Sequence, residues 1–153
     1  MKKLIAAVLL VFFVLAPSLF AETLCQPSFR IEVDDGWVHS VNKGSQALFG
    51  NLINIHHPNR SGTLKVQSLR APIVDPERLR EMTNVDWSKQ LDWESWGDFA
   101  GYQHNYFEKG SFHRQWWLTD GKTIVLFIHS SRVESKPAEK SEIDKIVRSI
   151  KSL

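Results

Sequence analysis

Cysteine is almost missing from this 153-residue chain: Cys25 stands alone. No intramolecular disulfide is possible, so packing and hydrogen bonding must hold the fold. Excess charge is missing too. There are 19 Lys and Arg against 17 Asp and Glu, and two of the basic residues are Lys2 and Lys3 at the extreme N-terminus. The remaining 17 and 17 cancel, which argues against the excess positive charge of a nucleic-acid footprint. The six histidines, His39, His56, His57, His104, His113 and His129, show no His-x-His or His-x3-His spacing, and His56 and His57 on one strand point to opposite faces. No metal and no cofactor is expected. No serine sits in a Gly-x-Ser-x-Gly elbow, so the commonest hydrolase signature is absent.

Long apolar runs are also scarce, with one exception. Leu4 to Ala16 is almost purely aliphatic and aromatic; it follows Lys2 and Lys3 and is broken by Pro17 and Ser18 before Leu19-Phe20-Ala21. A basic start, a short apolar stretch and a small residue at its end are the anatomy of a cleaved export signal. Cleavage after Ala21 is expected, with Ser18 as the alternative site. The run is too short for a comfortable membrane span, so stable membrane insertion is not expected. Cys25 invites comparison with a lipid-bearing cysteine, but Leu24 before it and Glu22 three before it do not suit that modification. The expectation is a periplasmic or secreted protein, 1–21 being the signal and 22–153 one domain with its own core, and Cys25 in an N-terminal arm.

Alternation dominates the rest. Phe29, Ile31 and Val33 alternate with Arg30 and Glu32 and stop at Asp34-Asp35-Gly36. Ala47 to Ile55 is a second apolar stretch; Pro58 to Gly62 is turn sequence; Leu64, Val66 and Ser68 share a face of a third strand. Asp75-Pro76 opens a helix with an N-cap acceptor and a proline at the first position, and Leu79 and Met82 form its stripe, extended by Val85 or by Asp86-Trp87. Tyr102–Glu108, Phe112–Thr119 and Lys122–Ser130 predict a three-strand meander turning at Lys109-Gly110 and Asp120-Gly121. With Asp120-Gly121 as a type I′ loop, Thr119 opposes Lys122, Trp117 opposes Ile124 and His113 opposes Ile128. One face then holds Tyr106, His113, Trp117, Ile124, Leu126 and Ile128, the other Phe107, Phe112, Trp116, Leu118, Val125 and Phe127, so both need a cover. Ile143, Ile146, Val147 and Ile150 form the stripe of a final helix able to supply one.

The fold class expected is α+β, a central antiparallel sheet flanked by helices on both faces. The order Phe29-Arg30-Ile31-Glu32-Val33, Gly36-Trp37, Gly62-Thr63-Leu64-Lys65-Val66, the Asp75-Pro76 helix, Gly121-Lys122-Thr123-Ile124-Val125-Leu126 and the helix from Glu142 to Ile150 resembles the PsbP/Mog-type family. The resemblance covers most of 28–151. It implies the α/β sandwich and non-enzymatic work, the binding of another protein or the assembly of a complex, and it carries over no site residue.

Six tryptophans remain, three of them in WSKQLDWESWGDF. Trp87, Trp93 and Trp96 interleave there with Asp92, Glu94 and Asp98, preceded by Asp86. Such a string serves as core packing, as a contact surface of aromatic anchors with an acidic rim, or as a carboxylate pair for glycoside hydrolysis. Trp93 and Trp96, three apart on a strand, must face opposite ways. The function expected is an exported, non-enzymatic protein-binding module acting through a sheet edge or the segment from Trp87 to Phe99. Its sharper form is an immunity or inhibitor protein against an exported toxin or enzyme. A glycan or small-ligand binder and a carboxylate-dependent hydrolase are the alternatives.

Overall fold

The computed structural model describes residues 21–43, 50–71 and 74–153. Residues 1–20, most of the expected signal, and 47–49 of the second apolar stretch lie outside them. Phe29, Ile31 and Val33 are buried on β2 (Phe29–Val33), while Arg30 and Glu32 face water. β2 lies between β1 (Glu22–Cys25) and β10 (Lys151–Ser152) in a small antiparallel sheet. Cys25 is therefore the last residue of a strand, exposed and paired with Arg30, rather than part of an arm.

The remaining strands are β3 (Val38–Asn42), β4 (Leu52–His56), β5 (Gly62–Arg70), β6 (Trp93–Trp96), β7 (Phe99–Glu108), β8 (Ser111–Thr119) and β9 (Thr123–Ser131). They form one seven-stranded antiparallel sheet in the order β3-β4-β5-β9-β8-β7-β6. Its inner face carries Ile53, Ile55, Leu64, Val66, Trp116, Leu118, Val125 and Phe127. These share one buried cluster with β2 and with Ile143, Ile146 and Val147 of α2 (Pro137–Arg148). Each such aliphatic side chain contributes about 1.5–3 kcal/mol on burial. The Arg60–Glu142 pair, with both guanidinium contacts at 2.6 and 2.8 Å, and Arg114–Asp144 at 2.6 Å hold α2 on this face.

The outer face is treated differently. α1 (Pro76–Met82), capped by Asp75 Oδ1, which accepts the Arg78 N–H at 2.8 Å, buries Leu79 against Val74, Tyr102 and Ile124. It covers one end of the face only. The sandwich with helices on both faces is thus corrected: among the described residues the molecule is mostly β, two antiparallel sheets with two short helices. A second sheet takes much of the inner cover expected of a helix. α1 stops at Met82, short of Val85, because the Thr83 hydroxyl turns back to the Arg80 carbonyl at 2.7 Å and Asn84 takes a positive φ of 54°.

The β8–β9 register is corrected as well: Thr119 opposes Ile124, Trp117 opposes Leu126 and His113 opposes Ser130. Asp120 is not a loop-centre residue. Its Oδ1 accepts the N–H groups of Lys122 and Thr123 at 2.9 and 2.8 Å, so Gly121, at φ 90°, and Lys122 form the loop. A glycine at the first central position is the II′ arrangement. The slip is two residues, so every side chain keeps its predicted face. Type I′ geometry appears instead at Lys109-Gly110, where φ is 50° and 76°.

Candidate functional site

Arg80 organises the chain between α1 and β6. It is 5% exposed, and its two terminal nitrogens donate four hydrogen bonds: to Thr83 Oγ1 (3.0 Å) and to the carbonyls of Val85 (2.8 Å), Asp86 (2.9 Å) and Lys89 (2.9 Å). A buried guanidinium without these oxygens would be very unfavourable; with them it shapes the loop. Trp87 lies over it, the guanidinium carbon 4.9 Å from the ring centroid. Asp86 accepts the Ser88 N–H, and that bond holds its carboxyl below the ordinary carboxylate range.

The Trp-rich segment divides among separate surroundings. Trp87 caps Arg80 and stays exposed. Trp93 is on the outer face, 41% exposed, edge-on to Tyr102 at 5.2 Å. Trp96 is in the core, edge-on to Trp116 at 5.9 Å, with Arg148 4.0 Å above its ring. Asp92 accepts from Gln90 at 3.1 Å, and Glu94 is exposed. Asp98 accepts from the Ser152 N–H at 3.2 Å and from Lys151 at 3.4 Å, tying down the C-terminal strand. These six residues do not form one surface.

The structure brings other residues together. β6 pairs only with Phe99–Tyr102, whereas β7 runs on to Glu108. Gln103 to Glu108 consequently have no strand on their outer side among the described residues. Beside this edge lies an open groove of about 770 Å³, walled by Asn84, Val85, Lys89 and Leu91 of the Arg80 loop and floored by His104, Tyr106 and Gln115. Tyr106 stacks on His113 at 4.7 Å and on His104 at 5.5 Å, the planes 14° and 26° apart, and His113 Nδ1 contacts Ser130 Oγ at 2.8 Å. Burial, then the charges of Arg80 and Lys89, pushes the His104 pKa down. Burial, then Glu108, pushes Tyr106 up. Both shifts favour neutral rings, so the floor is a flat, uncharged platform. On the inner side of the same edge, Phe107 (63% exposed) and Phe112 (39%) pack ring to ring at 4.9 Å.

A second feature that sequence reasoning passed over is His129, 1% exposed, with Nε2 3.3 Å from Glu139 Oε1 but out of line for a hydrogen bond. Glu139 accepts from the Gly62 N–H (3.0 Å) and from Ser61 Oγ (2.8 Å), linking α2 to the start of β5. Gly62 is required there because a side chain would run into the His129 ring. Burial pushes the His129 pKa down, although Glu139 opposes the shift. Among the described residues no group of three or more His, Cys, Asp or Glu side chains could hold a metal ion. His57 instead accepts the Asn59 N–H and packs edge-on to Trp37, and His39 meets Glu22 at 3.3 Å. No helix among these residues is long and apolar enough to cross a membrane.

Alternation in the sequence marks the faces of β7 but carries no signal for the groove, because it does not say where the neighbouring strand stops.

No protein-family model and no curated protein matches the chain. A crystal structure from Bacteroides thetaiotaomicron is similar, with a TM-score of 0.59 and 9% identity over 82% of this chain and 45% of that one. The likeness is one of fold alone. The chain spans less than half the length of that protein.

Proposed function

We propose that this chain is an exported, non-enzymatic binding module for another protein, and that the groove beside β7 is its contact surface. The observation that carries this is the run Gln103–Glu108, which among the described residues has no strand on its β6 side, next to a neutral aromatic floor and an exposed phenylalanine pair. Such a concave surface, part apolar and part amide, presents aromatic anchors of the kind that dominate interface energies.

The test is affinity capture from a periplasmic or secreted fraction with purified 22–153 as bait, followed by titration of the recovered partner. Tyr106→Glu puts a charge on the groove floor and should abolish capture. Lys65→Glu, on the open outer face away from the groove, should leave it intact. Equal affinity in both variants, folded by circular dichroism, would remove the groove from the proposal.

A glycan is the second reading, favoured by the amides of Asn84, Gln90, Gln103, Asn105 and Gln115 around one groove. Saturable quenching of tryptophan fluorescence by an oligosaccharide, lost in Tyr106→Glu, would establish it instead.

A further inference from the structure

We infer that the partner enters the groove as an extended strand laid antiparallel on β7, continuing the line of β6, and that it has a definite side-chain pattern. This rests on the binding proposal above and gives it a mode.

The main chain supplies the first reason. Gly97-Asp98 and Lys109-Gly110 are two-residue loops, closed by Trp96 opposite Phe99 and by Glu108 opposite Ser111. Two-residue hairpins close on a pair that exchanges both hydrogen bonds, and such pairs alternate with non-bonded ones. Counting from either turn gives one parity. The even-numbered residues of β7 direct their polar groups to β8, and the odd-numbered ones direct theirs to the β6 side. Gln103, Asn105 and Phe107 therefore offer three N–H donors and three carbonyl acceptors along an edge that β6 does not reach.

Protection is the second reason. Exposed edges are normally blunted by charge, proline or a bulge. Gln103-His104-Asn105-Tyr106-Phe107 has no proline and no Lys, Arg, Asp or Glu, and its pairing with β8 is unbroken. Among the described residues the edge is left as a template, and the groove of about 770 Å³ opens alongside it. β-Strand addition of this kind takes affinity from the backbone and specificity from alternate side chains.

The two flanks of the edge then set the pattern. In an antiparallel ligand the residue opposite Phe107 comes first and the one opposite His104 last, because Trp93 stands opposite Tyr102 and a ligand in line with β6 must stop short of it. The first falls beside the Phe107–Phe112 pair and should be large and apolar. Those opposite Tyr106 and His104 fall over the neutral stacked platform and should be aromatic or aliphatic. The one opposite Asn105 meets an amide pair, Gln103 Nε2 donating to Asn105 Oδ1 at 2.6 Å, and should be small and polar. From its N-terminus the ligand reads apolar, aromatic, Ser or Thr, aliphatic.

The probe is the synthetic peptide Phe-Tyr-Thr-Val, preceded by lysines, blocked at both ends and labelled for fluorescence anisotropy. N-methylation of the Phe or of the Thr removes a donor aimed at β7 and should weaken binding by about ten-fold or more. N-methylation of the Tyr or Val, whose N–H groups point away, should change it less than about two-fold, since no bond to β7 is lost. Asn105→Pro removes an edge N–H that β8 does not use, and should abolish peptide binding at an unchanged melting temperature. Equal effects at all four methylated positions would overturn strand addition. So would binding of the natural partner with no binding of the peptide, although the groove would stand if Tyr106→Glu still abolished capture. A dimer by light scattering that Asn105→Pro dissociates would also overturn it, placing a second copy on the edge.

Discussion

The two faces of the seven-stranded sheet carry similar numbers of aromatic and aliphatic side chains but meet different fates. Inside, Trp116, Leu118, Val125 and Phe127 are fully buried beneath β2 and α2. Outside, Tyr102 and Ile124 are buried under α1, whereas Tyr106, His113, Leu126 and Ile128 on the same face remain only partly covered. Hydrophobicity alone does not decide which part of a sheet becomes core; the reach of the covering element does. α1 is seven residues long, about 10 Å at 1.5 Å per residue, and cannot extend over both ends.

The sharpest test of this contrast lies within one strand. Trp96→Ala empties a core site and should destabilise by about 3–5 kcal/mol. Trp93→Ala removes an edge-on contact to Tyr102 and should cost about 0.5–1.5 kcal/mol. Denaturant melts that rank them equally would break the distinction between inner and outer face at β6.

Next in size is Arg80→Ala. It strands the carbonyls of Val85, Asp86 and Lys89 in partly buried positions, with an expected loss of about 2–3 kcal/mol. The loss should be accompanied by faster amide exchange across 84–91. Unchanged exchange there would mean that the groove wall does not depend on Arg80.

The pH dependence follows from His129. Its folded-state pKa lies below the ordinary 6.5, so between the two values the unfolded chain binds more protons. Stability is therefore full above the ordinary value and is lost as the pH falls towards the folded one. Burial is the main cause; Glu139 opposes it, while Arg114 and His113 reinforce it. His104 contributes in the same direction. Denaturation midpoints measured from pH 8 to pH 5 should fall, and His129→Gln should flatten the decline. An equal slope in the variant would show that His129 is not the group responsible.

The smallest expected effect is at the free edge. Phe107→Ala, at an exposed position, should change stability by less than about 0.5 kcal/mol while weakening any ligand that docks beside Phe112. A loss comparable to Trp96→Ala would show the phenylalanine pair to be core.

Local chemistry was legible where it acts over a few residues. Asp75-Pro76 starts α1 because a side-chain acceptor and a fixed φ suffice to nucleate it. The stripe of Ile143, Ile146 and Val147 puts one face of α2 in the core through helical spacing alone. Period-two alternation sorted the side chains of β7, β8 and β9 onto their faces, and those assignments survived a two-residue slip in register because two is the period. The slip itself depended on whether Asp120 would sit in the loop or bond forward to Lys122 and Thr123, two local options of similar composition.

Other features depended on contacts between distant segments. No pattern in Phe29–Val33 announces that it will recruit Glu22–Cys25 and Lys151–Ser152 into a second sheet, or that this sheet will take part of the place expected for a helix. The groove is of the same kind. Alternation assigns the face of every residue from Gln103 to Phe107, but says nothing about where the neighbouring strand stops. In the packed structure Arg80 folds back to hold the carbonyls of Val85, Asp86 and Lys89, β6 begins only at Trp93, and among the described residues no strand lies on that side of the rest of β7. Side-chain direction is a property of the backbone repeat and so belongs to the sequence. An unpaired edge is a property of what the rest of the chain fails to reach, and only the packed structure decides it.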